Sequence, residues 1–407
     1  MELEDNGNMV RSFVSRRANL LVPSAIGHLS QLAERRNAIN LAEGFPDFPA
    51  PQPFKDAAIA AINSNFNQYR HVQGLCDKVA ACFEIAQGVK INPYTQVTIC
   101  CGQSEALLAA ILAVVNEEDE VVLLDPSYET YEASVILAGG KAIHVSMAPP
   151  YWSLDLQKLE SSLGPKTKAV IINSPHNPTG KVFNDEELAG IAKFCCRFDC
   201  LAITDEVYEH ISFTGKNHKS IASFPGMQER TIVTSSISKT FSVTGWRIGW
   251  AIASETITAA INKIHQKLTD SAPAPFQEAA VFALGSSPDY YVTLRKAYAR
   301  RRDFVCDMLK EAGFNVRFKP EGSFFVFAEL PVTSHLTDVE YVADLIKTAG
   351  VAVVPGCGFF HGDDSSQEDY RNRYIRVAFC KDMNTLSAAR EAIIRTQSSP
   401  GILNSQS

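Results

Sequence analysis

No stretch of this chain stays apolar for the roughly 18 residues that a membrane-spanning helix needs. No lysine- and arginine-rich patch or arm stands out either. With a net charge of −7 and an isoelectric point near 5.8, the chain is a poor fit to nucleic acid or a membrane as partner. The opening MELEDNGNMVRSF is acidic and has no apolar core, so neither a secretory leader nor an arginine- and serine-rich transit peptide is expected, and the expected compartment is cytoplasmic. The glycine signatures G-x-G-x-x-G and G-x-x-x-x-G-K-[ST] are both missing, which removes the dinucleotide and P-loop readings. Ten cysteines are present without Cys-x-x-Cys or paired-histidine spacing. Most lie in apolar runs and read as buried thiols in a reducing compartment. Cys195, Cys196 and Cys200 are the one conceivable metal cluster, and no ligand spacing supports it.

The 407 residues, 46% hydrophobic and 20% charged, can bury a large core over two or three domains. From Gln96 to Ala253, short apolar runs alternate with helical periods. The expected strands are Val97–Cys100, Glu120–Asp125, Ala142–Ser146, Ala169–Asn173, Leu201–Asp205, Thr231–Ser235 and Ile248–Ala253, with helices such as Ser104–Val115 and Asp185–Phe198 between them. Such alternation predicts an α/β fold with a mostly parallel seven-stranded sheet covered on both faces. Ligands of such sheets bind beyond the carboxyl ends of the strands. An amphipathic helix over Val22–Ala33 follows a Pro-Ser start signal, and residues 288–311 read as a long helix. Its Arg300, Arg301 and Arg302 are expected on a solvated face or in dimer contacts. Glu255 is expected to open a surface helix without chemistry of its own.

The chain is organised around Thr234–Trp250, TSSISKTFSVTGWRIGW. Lys239 sits among Ser235, Ser236, Ser238, Thr240 and Ser242, and Arg247 follows between Gly245 and Gly249. Burial and a nearby cation lower an amine's pKa, and the neutral amine attacks carbonyls. Serine hydroxyls with one guanidinium form a cradle for a phosphate monoester. An amine that bonds a carbonyl beside such a cradle points to an aldehyde cofactor bearing a phosphate, and pyridoxal 5′-phosphate fits.

Four further motifs fall at predicted strand ends. Gly102-Gln103-Ser104 opens a helix whose free N–H groups and positive dipole end suit a phosphate. Asp125-Pro126-Ser127-Tyr128 closes the second strand. Asn173-Ser174-Pro175-His176-Asn177-Pro178-Thr179-Gly180 is a rigid loop. Thr204-Asp205-Glu206-Val207-Tyr208 places a carboxylate at a buried strand end, costly unless a cation answers it. Farther on, Tyr374–Phe379 carries Arg376 within an apolar strand, where an arginine calls for a bound acid.

S-x-S-K-x-F-x-x-x-G-x-R-x-G and N-x-P-x-N-P-T-G, with D-E-V-Y between them, resemble the class I aminotransferases of fold type I. GFPDFPAP, SIASFPGMQERT and YIRVAFCKD are most similar to the kynurenine aminotransferase and glutamine transaminase branch. The resemblance covers nearly the whole chain. It implies a large cofactor domain over 51–290, a smaller α+β domain over 291–397, an N-terminal arm contributing to the small domain over 1–50, and a disordered tail over 398–407. It implies that Lys239 bonds pyridoxal phosphate covalently and moves the substrate's proton. Asp205 would keep the pyridine nitrogen protonated, and Asn177 and Tyr208 would hold its phenolic oxygen. Tyr128 would stack on the ring, and Gly102, Gln103, Ser104, Ser236 and Arg247 would take the phosphate. Gly44 and Arg376, beside Asn177, would seat the substrate carboxylate. Tyr69, in N-Q-Y, would reach the cofactor of a second copy, making a homodimer with shared sites.

Phe45, Phe48, Tyr128 and Phe360 suggest a bulky apolar, aromatic or methionine donor passing its amino group to a 2-oxo acid. One departure is Asp270-Ser271, where kynurenine-type enzymes carry an aromatic residue and a histidine. Asp270 would either favour a polar or basic side chain or cap a helix. The same lysine and fold also serve pyridoxal-phosphate lyases that cleave C–S bonds or close a cyclopropane ring. A non-catalytic binding protein is disfavoured, because no catalytic position is missing.

Overall fold

The computed structural model describes residues 13–362, 367 and 370–397. The first twelve residues of the expected N-terminal arm lie outside those residues, and the tail at 398–407 wholly outside them. Twelve strands occur among the described residues: β1 (Ile39–Asn40), β2 (Val97–Cys100), β3 (Glu120–Asp125), β4 (Lys141–Ser146), β5 (Thr167–Asn173), β6 (Leu201–Asp205), β7 (Thr231–Ser236), β8 (Gly249–Ile252), β9 (Phe325–Glu329), β10 (Val351–Ala352), β11 (Val354–Pro355) and β12 (Tyr374–Ala378). The seven from β2 to β8 form one sheet in the order β2-β8-β7-β6-β5-β3-β4. All its pairings are parallel except those of β8, which runs antiparallel to both neighbours.

The strands read as continuous apolar runs because both faces of the sheet are covered. Successive side chains alternate faces. Val121, Leu123, Ala169, Ile171 and Ile203 therefore pack on one side, against Ala106, Leu107, Ala110 and Ile111 of the helix Gln103–Val114. Val122, Leu124, Val170, Ile172 and Ala202 pack on the other, against Leu188, Ile191 and Cys195 of the helix Asp185–Phe198. That second helix starts where expected, through a capping box in which Asn184 and Glu187 each satisfy the other's backbone amide.

A second core gathers Tyr298, Val305, Met308 and Leu309 of the helix Pro288–Glu311 with Phe324, Val326, Ile375 and Val377. It underlies the three-stranded antiparallel sheet β11-β12-β9. The short β1 pairs in parallel with β10, tying the segment after the N-terminal arm to this core. The arm helix spans Ala25–Arg35, two to three residues later than the expected range, because the Ser24 hydroxyl accepts from the Gly27 amide and fixes the start.

The arginines of the long helix do not share one solvated face. Arg300 is exposed. Arg301 turns in to donate to the Lys381 carbonyl at 2.8 Å, with its guanidinium 4.7 Å from the Phe48 ring. Arg302 donates to the Pro320 carbonyl at 3.1 Å and lies 4.5 Å from the Phe213 ring. Glu255 does open a helix, Glu255–Leu268, and accepts from Thr95. The ten cysteines are free thiols. The ligand atoms of Cys195, Cys196 and Cys200 do not form one of the metal-ligating groups found among the described residues.

Candidate active site

The carboxyl ends of β5, β6 and β7 converge on one cleft, a cavity of about 250 Å³. They bring Asn173 and its following loop, Asp205 and Ser236 to its floor. Lys239 enters just beyond β7. Its Nζ donates to the Gly44 carbonyl at 3.0 Å and lies 5.6 Å from the Phe324 ring. Burial pulls this amine down to about 8. It is therefore close to the balance between ammonium and nucleophilic amine near neutral pH.

Asp205 is almost fully buried, and burial pushes its carboxyl up to about 6. Two donors oppose that shift. The Tyr131 hydroxyl reaches Oδ2 at 2.8 Å and the Val207 amide reaches Oδ1 at 3.2 Å. A cation placed against this carboxylate would favour its charged form further.

Arg376 stands on β12 with 1% of its surface exposed. Nη1 donates to Asn177 Oδ1 at 2.9 Å and Nη2 to the Ala42 carbonyl at 2.7 Å, while Nε is buried without a partner. Burial draws the guanidinium down to about 10, so it is still charged at neutral pH. Among the described residues no carboxylate bonds it. Asn177 spends its carbonyl on Arg376, and its amide group remains available to donate. Its backbone is held by Asn173 Oδ1 at 2.7 Å.

The other end of the cleft is a backbone-lined cradle. Gly102 caps the helix Gln103–Val114 at φ +81°, and a Cβ there would stand 2.2 Å from Arg247 Nη2. A Cβ on Gly249 would stand 2.4 Å from the Gln103 amide nitrogen. Both positions therefore need glycine for close approach. Arg247, itself at φ 54°, donates to the Thr244 and Cys101 carbonyls. Gln103, Ser104, Ser236 and Ser238 line the same end, and the Ser238 hydroxyl is buried without a partner.

These features match pyridoxal phosphate group by group. The cradle with its helix N-terminus and guanidinium suits the phosphate. Asp205 suits the pyridinium, and Lys239 the aldehyde. The orphaned Ser238 hydroxyl and Arg376 Nε are donors still in want of an acceptor.

Of the residues singled out in the sequence, Gly44, Gln103, Ser104, Tyr128, Asn177, Asp205, Tyr208, Ser236, Lys239, Arg247 and Arg376 line this one cavity. Gly102 lies directly behind it, against Arg247. Tyr69 does not line it. It is 80% exposed and borders a separate cleft with Arg70, Tyr94, His265 and Asp270. Asp270 follows the C-cap Thr269 of the helix Glu255–Leu268, at φ 59°, within that second cleft.

Two expected pocket walls are elsewhere. Phe48 packs on Tyr298 under Arg301. Phe360 is buried beside Trp152, Phe327 and Tyr370. Phe45 does line the cleft, and Ile26 and Phe325 supply the remaining apolar wall. Tyr131 was not singled out. Its only sequence sign is that it lies three residues after Tyr128, at helical spacing.

Comparison with known proteins agrees with this geometry. Residues 36–393 match the family model for aminotransferase class I and II. The chain is 34% identical to the methionine aminotransferase of Escherichia coli K12, over 90% of this chain and 94% of that one. It is 33% identical to the kynurenine–oxoglutarate transaminase of Dictyostelium discoideum, over 94% and 96%. The solved N-succinyldiaminopimelate aminotransferase of Mycobacterium tuberculosis superposes with a TM-score of 0.90 at 36% identity, over 95% of this chain and all of that one.

Proposed function

The chain belongs to the class I and II aminotransferases, and from that premise we propose which residues do the work and which donor they serve. The protein is a pyridoxal-phosphate-dependent transaminase that moves an amino group from an amino acid to a 2-oxo acid. When bound, the cofactor supplies a covalent attachment point for the amino group and a ring that withdraws electrons from the substrate Cα.

The protein's own groups do the rest. Lys239 would hold the cofactor through its aldehyde and is the base placed to carry the proton away from the substrate Cα. Its lowered pKa leaves it able both to accept and to release that proton near neutral pH. Asp205, braced by Tyr131 and the Val207 amide, holds the pyridine nitrogen protonated. Tyr208 and the Asn177 amide would hold the cofactor's phenolic oxygen, and Tyr128 would stack on its ring. Gly102, Gln103, Ser104, Ser236 and Arg247 hold the phosphate. Arg376 would bind the substrate carboxylate through the donors it has left over, Nε among them, next to Gly44 and Asn177. The observation that carries the reading is the buried Lys239 amine, in one cavity with Asp205 and Arg376 and hydrogen-bonded among the described residues to the Gly44 carbonyl.

The apolar wall of Ile26, Phe45, Tyr128 and Phe325 favours a bulky apolar, aromatic or methionine donor. Relatives named for methionine and kynurenine are in keeping with that class. We assign the cofactor domain to residues 51–290 and the small domain to 291–397 with the arm 1–50. The working unit is a cytoplasmic homodimer, in which the exposed Tyr69 completes the phosphate site of the other copy.

The test is the visible absorbance of the purified holoenzyme, titrated with single amino acids in the absence of an oxo acid. Conversion of the cofactor band with one equivalent of 2-oxo acid released per site supports transamination, and the donor giving the fastest conversion identifies the preferred substrate. A persistent band with catalytic release of ammonia or thiol would replace this reading with a lyase.

A further inference from the structure

Three residues before Tyr128, and outside the residues that line the cleft, the buried carboxylate of Asp125 meets two histidine side chains. We infer that Asp125, His144 and His361 form a binding site for a divalent transition-metal ion of the zinc type. The inference stands apart from the transaminase reading.

Asp125 ends β3 and is fully buried, and His144 lies on the neighbouring β4. His361 comes from beyond β11 and the Gly356–Phe359 turn, 236 residues after Asp125 in the chain. Asp125 Oδ1 is 3.1 Å from His144 Nδ1 and 3.8 Å from His361 Nδ1. The three atoms all lie within 4.8 Å of one another. A tetrahedral zinc site with bonds of about 2.0–2.2 Å spaces its ligand atoms about 3.3–3.5 Å apart. The cluster is thus near the required size, and a small rotation of either ring suffices. Ser127 Oγ donates to Asp125 Oδ1 at 2.9 Å and lies 3.4 Å from His361 Nδ1, so its hydroxyl is at hand as a fourth donor.

The surroundings carry the second tier of contacts that metal sites need. Metal-binding carboxylates are oriented by hydrogen bonds, and metal-binding imidazoles present their other nitrogen to an acceptor. Here Asp125 Oδ2 accepts from the His361 amide at 3.0 Å and the Gly362 amide at 3.2 Å. This leaves Oδ1 turned toward the two rings. His144 Nε2 faces Glu132 Oε1 at 3.5 Å. The rings lie nearly parallel, at 26° and 5.6 Å between centroids. A Cβ on Gly362 would come within 2.8 Å of His144 Cβ, so glycine lets this segment close over the rings. An entry path exists, since the His144 and His361 side chains keep 10% and 16% exposure.

Two imidazoles and one carboxylate, with no sulfur among them, suit zinc, cobalt or nickel and not the all-oxygen preference of magnesium or calcium. An ion here would join the ends of β3 and β4 to the segment after β11. It would brace the turn that presents Tyr128 without touching the reacting atoms.

The test adds zinc to the holoenzyme, competes it against a chromophoric chelator and records X-ray absorption at the zinc edge. One ion per chain, with a nitrogen and oxygen shell showing imidazole scattering, is expected. His361→Gln and His144→Gln should each weaken binding at least tenfold, and Glu132→Gln about tenfold. An excess of magnesium should not compete. Circular dichroism identifies a variant that fails to fold, in which case the other histidine variant decides. Binding below one equivalent, a sulfur shell from the free cysteines, or an affinity unchanged from the wild type in both histidine variants would overturn the site.

Discussion

The Tyr131 hydroxyl stands 2.8 Å from Asp205 Oδ2, and both groups are buried. The bond favours the charged carboxylate against a burial that pushes it up to about 6. Removing it in Tyr131→Phe deletes a hydrogen bond to a charged group, worth about 1.5–3 kcal/mol. The Asp205 carboxyl should then titrate higher, and kcat should fall roughly tenfold or more near neutral pH. The acid limb of the kcat profile should move to higher pH. Asp205→Asn should lose far more activity, with no limb to move. An unchanged acid limb in Tyr131→Phe would remove Tyr131 from this role.

Lys239 makes a prediction about stability whose sign opposes its role in activity. Its amine falls from 10.5 to about 8 in the folded chain. Folding therefore disfavours the charged form. The penalty is fully present below pH 8 and fades as the pH rises from about 8 to 10.5. A shift of that size corresponds to about 3 kcal/mol. Cofactor-free Lys239→Met should accordingly be more stable than the cofactor-free wild type at pH 7, by a few kcal/mol, while being inactive. The gap should shrink by pH 10. Urea unfolding at the two pH values measures it, and a gap independent of pH would mean that the amine is solvated.

The seven strands of the large sheet, β12, the long helix Pro288–Glu311 and most of the cleft were legible in the sequence for a shared reason. Each is a local pattern, such as Leu201–Asp205 ending on a carboxylate or Pro-rich Asn173–Gly180, that needs no partner to be recognised. What was missed depends on contacts distant in the chain. Phe48 and Phe360 are as apolar as Phe45, and only the packing of Tyr298 and Trp152 sends them away from the cleft. Arg301 looks like a surface residue until the Lys381 carbonyl, 80 residues on, is placed beside it. The pairing of Asp125 with His361 spans 236 residues, and no spacing rule could have signalled it.

Gly102 and Gly249 separate two consequences of adding one methyl group. In Gly102→Ala the new Cβ meets the Arg247 guanidinium, a side chain that can swing away, while the positive φ of +81° adds backbone strain that lowers Tm as well. The protein should fold, but with the phosphate cradle opened, so pyridoxal phosphate should dissociate at least tenfold more readily. In Gly249→Ala the Cβ meets the Gln103 amide and the Gly102 carbonyl carbon, which are backbone and cannot yield without parting β8 from the helix start. That variant should lose several degrees of Tm. Equilibrium dialysis of the cofactor and thermal melts distinguish the two, and a Gly102→Ala protein with unchanged cofactor affinity would dismiss the cradle.

Arg376 is the test of how the substrate carboxylate is held. Its two terminal nitrogens reach Asn177 and Ala42 separately, and a lysine ammonium, with all its donors on one nitrogen, cannot span those contacts and still face a carboxylate. Arg376→Lys should therefore raise KM for both the amino acid and the oxo acid by about a hundredfold, leaving the cofactor spectrum intact. Amines that lack a carboxylate should lose nothing by the change. Steady-state kinetics with matched amino acid and amine pairs gives the answer, and an equal loss for both kinds of donor would place Arg376 in the scaffold alone.

Tyr69 decides whether one chain can complete its own site. It is 80% exposed and lines the cleft with Asp270, apart from Lys239. If it serves the other copy, Tyr69→Ala and Lys239→Ala each cripple every site in their own dimers. Unfolding the two together and refolding them as a mixture changes the outcome. In a hybrid dimer, the site built on the Tyr69→Ala chain keeps its own Lys239 and receives Tyr69 from the Lys239→Ala chain. That site is intact, and the opposite one is doubly defective. Random pairing makes about half the dimers hybrid, so about a quarter of all sites should recover full activity. If Tyr69 acts within its own chain, no pairing produces an intact site, and the mixture should show only the residual activity of its two parents.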